Sequence, residues 1–209
     1  MLTVYTVPIS LYCAKLRIVL RHKQLKWKEQ PPTGGYGSEK YKTIVASGNL
    51  PALVDGDLVI ADSEAIAEYL EEINPYPSML PTDPSLRAKT RELGRFHDTR
   101  LEPELRKLFK AISQKDRDQK LNEIQTTEIN KRLTQLSKIL DFNPNHLLLG
   151  HCGFPITFVW LDALTPLLPL KINWPSKIIT WRNKIENFTA VTEEIEEYQP
   201  KLKKWLDEL

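Results

Sequence analysis

The chain has 209 residues, enough for two modest domains, and its 41% hydrophobic and 27% charged content is that of a globular protein. A net charge of +2 leaves no basic surplus for a nucleic-acid or acidic-polymer partner, and no apolar run approaches the roughly 20 residues a membrane span needs. Two widely separated cysteines, Cys13 and Cys152, and no signal peptide before the first strand make a reducing, cytoplasmic location the expectation.

Met1 to Val7 alternates and is rich in β-branched residues, which predicts a first strand that Pro8 ends. Ser10 to Cys13 leads into a helical pattern over Ala14 to Lys23, and Leu25 to Gln30 reads as a second strand. Pro31 to Gly37 is a loop, since proline and glycine exclude regular structure there, and Ser38 is placed to cap a short helix reaching Val45. Pro51 opens a third strand over Ala52 to Val54, where its missing N–H is tolerated. Asp55-Gly56 supplies tight-turn chemistry, and Asp57 to Ile60 pairs back as a fourth strand. Ser63 sits where a helix N-cap belongs, with Ile66, Tyr69 and Leu70 on one face of the helix that follows. Asp62-Ser63 thus puts an acid and a hydroxyl at a helix start, suited to the charged backbone groups of an amino acid.

Asn74 to Ser85 carries four prolines and reads as the linker. Beyond it the pattern is helical: one long helix over Leu86 to about Ile112, kinked near Pro103, and another over Lys120 to Leu140. A turn follows at Asn143-Pro144-Asn145, then the most apolar helix over Pro155 to Leu168, and two more over Pro175 to Glu186 and Pro200 to Leu209. No His/Cys/Asp/Glu cluster has metal-ligand spacing, and no glycine loop matches a phosphate cradle.

The β-α-β-α-β-β-α order, the tripeptide Asn49-Leu50-Pro51 and the pair Asp62-Ser63 followed by Ala65-Ile66 and Tyr69-Leu70 resemble the cytosolic glutathione S-transferases. The resemblance implies an α/β thioredoxin-like domain over residues 1–76, a linker over 77–85 and an all-helical bundle over 86–209. It implies a cis bond before Pro51, which turns the Leu50 backbone toward the cysteinyl part of glutathione. Asp62 and Ser63 would hold the γ-glutamyl end. Asn49 matches a position that contacts the glutathione backbone in mu-like members, and it also suits the turn after Gly48. Tyr36 and Lys40 are candidate donors to the glycyl carboxylate.

The chemistry such a protein needs is a thiolate. Glutathione's thiol, with a reference pKa near 8.5, is only a few per cent ionised at neutral pH, and lowering that value by ~2 units takes about 2.7 kcal/mol of preferential anion stabilisation. A helix N-terminus with a hydroxyl donor aimed at the sulfur is a source of that size. Ser10 stands at that place, and Ser10-Leu11-Tyr12-Cys13 resembles the Ser-x-x-Cys form of theta-like members. A serine there also removes thiol–disulfide exchange through that atom. The zeta-like Ser-Ser-Cys signature is absent. Tyr5 reads as a packed strand residue, and Cys13 and Cys152 as structural. Tyr12 has two open roles, facing the sulfur or second substrate, or packing over the cleft. His97 and Arg100 lie on the helix that borders the electrophile's cleft in this family. The capping Ser/Thr and Asp pair that opens the family's buried central helix is displaced or missing, because Thr157 is followed by Trp160 at that spacing.

The expectation is therefore a homodimeric glutathione transferase acting on a small apolar electrophile, with no metal. The alternatives are a glutathione-dependent isomerase or lyase on the same site, and a non-catalytic, protein-binding member of the fold similar to the bacterial stringent starvation proteins.

Overall fold

The computed structural model describes residues 1–113, 115, 117–140 and 145–209. Asn143 and Pro144 of the expected turn lie outside them. The first layer is a four-stranded sheet of β1 (Leu2–Tyr5), β2 (Trp27–Gln30), β3 (Ala52–Asp55) and β4 (Leu58–Ala61), in the order β2-β1-β3-β4. β1 and β2 run parallel, as they must when a helix crosses between them, while β1–β3 and β3–β4 are antiparallel. The β3–β4 hairpin turns through Gly56-Asp57, with Gly56 at φ +59°, so Asp55 still belongs to β3 and Asp57 falls in the turn rather than opening the fourth strand. The Leu50–Pro51 peptide bond is cis, as the resemblance implies.

Helix α1 (Leu11–His22) is capped by Ser10, whose Oγ accepts from the Cys13 N–H at 3.3 Å. A surface helix would show one apolar stripe, but α1 is buried almost all round, including Lys15 and Arg17. It packs against α3 (Ser63–Ile73) and against the helical domain. Ser38 caps the short α2 (Glu39–Lys42) as expected. At α3 the N-cap is Asp62 rather than Ser63. Its Oδ1 accepts from the Glu64 and Ala65 N–H groups, and Ser63 becomes the first helical residue. Asp62 stands at φ +111°, a conformation that costs a non-glycine residue about 1–3 kcal/mol and persists only where its surroundings impose it.

The second layer is helical. α4 (Pro84–Phe96) starts two residues before the expected Leu86, with Asp83 as N-cap and Pro84 in the first turn, where a missing N–H costs nothing. The expected single helix is broken by a π-helical turn at His97–Leu101, then resumes as α5 (Glu102–Lys107) and a 3₁₀ turn, Leu108–Ala111. The distortion lies just before Pro103, whose ring and missing N–H cannot continue a regular α ladder. α6 (Gln119–Ile139) and the almost wholly buried α7 (Phe154–Leu164) follow, then α8 (Ser176–Glu186). The last helix, α9 (Thr189–Asp207), begins eleven residues earlier than expected and carries Pro200 in its interior, so Pro200 does not mark a helix start.

Buried charges join the layers. Arg17 Nε donates to Glu194 Oε1 of α9 at 2.7 Å, and Lys23 Nζ lies 2.6 Å from Glu71 Oε2. Glu71 in turn accepts from the Met79 and Leu80 N–H groups, so one α3 carboxylate organises the linker. Two glycines permit close approach on the other side. A Cβ on Gly150 would lie 2.2 Å from the Thr90 carbonyl oxygen, and one on Gly153 would lie 2.4 Å from the His97 ring. No described helix is long and apolar enough to cross a membrane.

Candidate functional site

A cleft of about 780 Å³ opens where the ends of β1 and β3 meet the helical domain. Its floor is the segment from Val7 to Tyr12, which turns from β1 into α1. Ser10 lies there, and because its oxygen already accepts from the Cys13 N–H, its own O–H is the group left to donate. The loop carrying Ser10 is held from below. Trp160 Nε1 donates to the Tyr198 hydroxyl at 2.7 Å, and that hydroxyl donates to the Ile9 carbonyl at 2.6 Å. Arg17 adds bonds to Thr6 Oγ1 and the Pro8 carbonyl.

One side wall consists of Ser47, Asn49, Leu50, Ala61, Asp62 and Ser63, with the exposed Tyr36 at the rim. Tyr41, fully buried, donates its hydroxyl to the Asn49 carbonyl at 3.0 Å and so fixes the backbone entering Leu50. Burial pushes the Tyr41 phenol well above the usual tyrosine range, which keeps it a donor. Asp62 lines the cleft while only its Oδ1 serves the two helix N–H groups. Pro51 is buried beneath this wall and Lys40 stands outside it.

The opposite wall comes from the second domain. Arg95, Asp98 and Thr99 reach it from α4 and the π turn, Arg106 and Phe109 from α5 and the 3₁₀ turn, and Trp160 and Trp205 from α7 and α9. His97 and Arg100 do not line the cleft. His97 is buried, with Nδ1 2.6 Å from Asp98 Oδ1 and Nε2 2.7 Å from Thr157 Oγ1. Thr157 therefore serves as a partner of His97 within α7, and Gly153 at that helix's N-cap makes no side-chain cap. Tyr12 does line the cleft, but its hydroxyl donates to Glu102 Oε2 at 2.9 Å; burial, then the Glu102 charge, raises its pKa. Arg95, Asp98, Thr99 and Arg106 escape the residue-type reading. Their spacing of three, four and eleven was the available sign that they share a helix face.

Beneath this wall runs a buried relay of charges. Lys15 Nζ lies 2.5 Å from Glu64 Oε2 and 2.8 Å from Asp98 Oδ2, and Asp98 passes to His97 and then Thr157. It ties the first turn of α3, beside Asp62 and Ser63, to the cleft face of the π turn. Burial pushes the Asp98 carboxyl up, but the His97 hydrogen bond and attraction, with Lys15, more than offset it and hold it at about 2. Cys13 and Cys152 are both buried and neither lines the cleft, and burial raises the Cys152 thiol to about 12. Among the described residues no His, Cys, Asp and Glu group could hold a metal ion.

Residues 4–78 match the family model described as "Glutathione S-transferase, N-terminal domain". Among curated proteins, the stringent starvation protein A homolog of Pasteurella multocida is 36% identical over 92 residues, which cover 44% of this chain and 43% of that protein. The match thus spans less than half the length of that relative. Glutathione S-transferase Z2 of Arabidopsis thaliana is 33% identical over 147 residues, 65% of this chain and 66% of its own. Among solved structures, the theta class glutathione S-transferase of Xanthomonas axonopodis pv. citri, with glutathione bound, superposes with a TM-score of 0.79 at 18% identity, covering 93% of this chain and 96% of that one. With its thioredoxin-like sheet and helical second layer, the chain has the glutathione S-transferase fold, and its residues 4–78 belong to that family's N-terminal domain.

Proposed function

We propose that the chain binds glutathione along the Asn49–Ser63 wall and ionises its thiol at Ser10 for attack on an electrophile. The observation that carries this is Ser10 itself: a hydroxyl at the start of α1, with its oxygen taken by a helix N–H, in the same cleft as Leu50, Asp62 and Ser63. An anion placed before Ser10 meets one O–H donor and the positive end of a helix, which together are of the size needed to lower a thiol pKa by ~2 units. The Asp62 carboxylate would take the γ-glutamyl ammonium, the Ser63 hydroxyl the adjoining carboxylate, and the Leu50 backbone the cysteinyl amide. Asn49 lies along the same run and Tyr36 at the glycyl end. The Tyr12 hydroxyl is spent on Glu102, which favours Ser10 over it as the sulfur's donor. Residues 1–76 would supply the glutathione half and residues 86–209 the electrophile half of a homodimeric, cytoplasmic enzyme.

A second reading is a protein-binding role without catalysis. The match to a stringent starvation protein A homolog, over 92 residues, favours it. One titration separates the two. The absorbance of the bound thiolate, followed against pH in wild type and Ser10→Ala, should give a wild-type pKa ~2 units below that of free glutathione and a value returned toward it in the variant. A wild-type pKa equal to that of the free tripeptide defeats the catalytic reading. Retention on immobilised glutathione that is lost on Asp62→Ala tests binding separately from ionisation. An isomerase or lyase would pass both tests and differ only in its products.

A further inference from the structure

The helical wall carries chemistry that an apolar electrophile does not use. Arg106 lies half-exposed at the cleft with its guanidinium carbon 5.5 Å from the Tyr12 ring centroid and 5.7 Å from that of Phe109. Two aromatic faces therefore hold the fork in place. One of its five N–H donors goes to Glu102 Oε1, and the other oxygen of that buried carboxylate accepts from Tyr12. Glu102 thus orients Arg106 without lining the cleft. Arg95, exposed on the same wall, makes no ion pair among the described residues. Of the acids that line the cleft, Asp98 is taken by Lys15 and His97, and Asp62 caps α3 on the far side. Next to Arg106 stands an aromatic cluster with buried Trp160 at its centre. Phe109 and Trp160 lie 4.5 Å apart with their rings inclined at 31°, and Trp205 meets Trp160 edge-on at 5.9 Å.

We propose that this wall receives a planar, conjugated second substrate bearing a carboxylate, with Arg106 binding the carboxylate and Phe109 and Trp205, backed by the buried Trp160, packing against the ring. The inference rests on the transferase reading for the word "substrate", but the anion site itself does not. A stacked, weakly hydrated guanidinium whose orientation is already fixed gives up little freedom on taking a planar oxyanion. The same chemistry would suit the glycyl carboxylate of glutathione, so the test must distinguish the two sources.

Quenching of tryptophan fluorescence gives the affinity of 3,5-dinitrobenzoate and of its neutral counterpart 1,3-dinitrobenzene, each with and without glutathione, in wild type, Arg106→Gln and Arg106→Lys. The expected result is benzoate binding at least tenfold tighter than the neutral ring in wild type. That preference should weaken with added salt, fall to within about twofold in Arg106→Gln, and be partly kept in Arg106→Lys, while glutathione affinity changes less than twofold. Equal affinity for the two rings in wild type overturns the proposal without any variant. A loss of glutathione affinity in Arg106→Gln, with the benzoate preference intact, overturns it in favour of the glycyl carboxylate. If the Ser10 titration shows no lowered thiolate pKa while the benzoate preference holds, the transferase reading fails and the anion site stands.

Discussion

Replacing Asp98 by asparagine removes the central charge of the Glu64–Lys15–Asp98–His97 relay while keeping the side chain's shape. In the folded protein the Asp98 carboxyl sits at about 2, against an ordinary value of 3.8. At about 1.4 kcal/mol per tenfold change in ionisation, that gap corresponds to roughly 2 kcal/mol of stability. The sign follows from the depressed value. The contribution is complete above the unfolded carboxyl's pKa and is lost as pH falls through the folded one. Asp98→Asn should therefore cost roughly 2 kcal/mol near pH 7, still nearly all of that near pH 4, about half near pH 3 and little near pH 2. Urea unfolding followed by tryptophan fluorescence, run in parallel on both proteins at these pH values, measures the difference directly. Comparing the two cancels every other titrating carboxylate. A variant within about 0.5 kcal/mol of wild type near pH 7, or a difference that stays the same down to pH 3, would refute the account of the relay.

Two further predictions concern packing. Gly150→Ala aims a Cβ at the Thr90 carbonyl of α4, and backbone cannot step aside, whereas Gly153→Ala meets only the His97 side chain. Both should destabilise by at least 1–3 kcal/mol, Gly150→Ala the more, in calorimetric or urea melts, and the reverse order would mean that α4 is free to move. Tyr198→Phe leaves the buried Trp160 N–H without its acceptor and the Ile9 carbonyl without its donor. It should cost about 1–3 kcal/mol and raise the bound thiolate pKa through the loosened Ser10 loop, while an unchanged pKa would confine Tyr198 to stability.

Much of the first domain was legible because its signals are local. Pro51, the glycine turn after β3, the cap at Ser38 and the β-branched alternation of β1 each dictate backbone within a few residues, and the folded chain follows all four, with the turn one residue later than expected, at Gly56-Asp57. Ser10 was legible from the resemblance and from its place before the first helix, whereas its capping bond to the N–H three positions on, and the start of α1 at Leu11 rather than Ala14, were not. The choice between Asp62 and Ser63 as the α3 cap was not, because either oxygen reaches a helix N–H. The folded chain seats Asp62 there, at φ +111°.

The helical wall shows the limit more sharply. His97 has the residue type of a catalytic group, yet the π turn and the space left by Gly153 seat it in the core, and its neighbours Asp98 and Thr99 take the cleft face. Trp160 looks from its own helix like one more apolar residue, and Trp205 like part of a charged tail. Only the packing of α7 against α9, with Phe109 stacked on Trp160, brings them to one wall of the cleft. By itself the sequence determined which backbone was to be made and where a hydroxyl would meet a helix start, because those depend on neighbours in the chain. The tertiary structure alone decided which side chains face the cleft, because a helix's rotation about its axis is set by what it packs against, and here a single π turn is enough to change it.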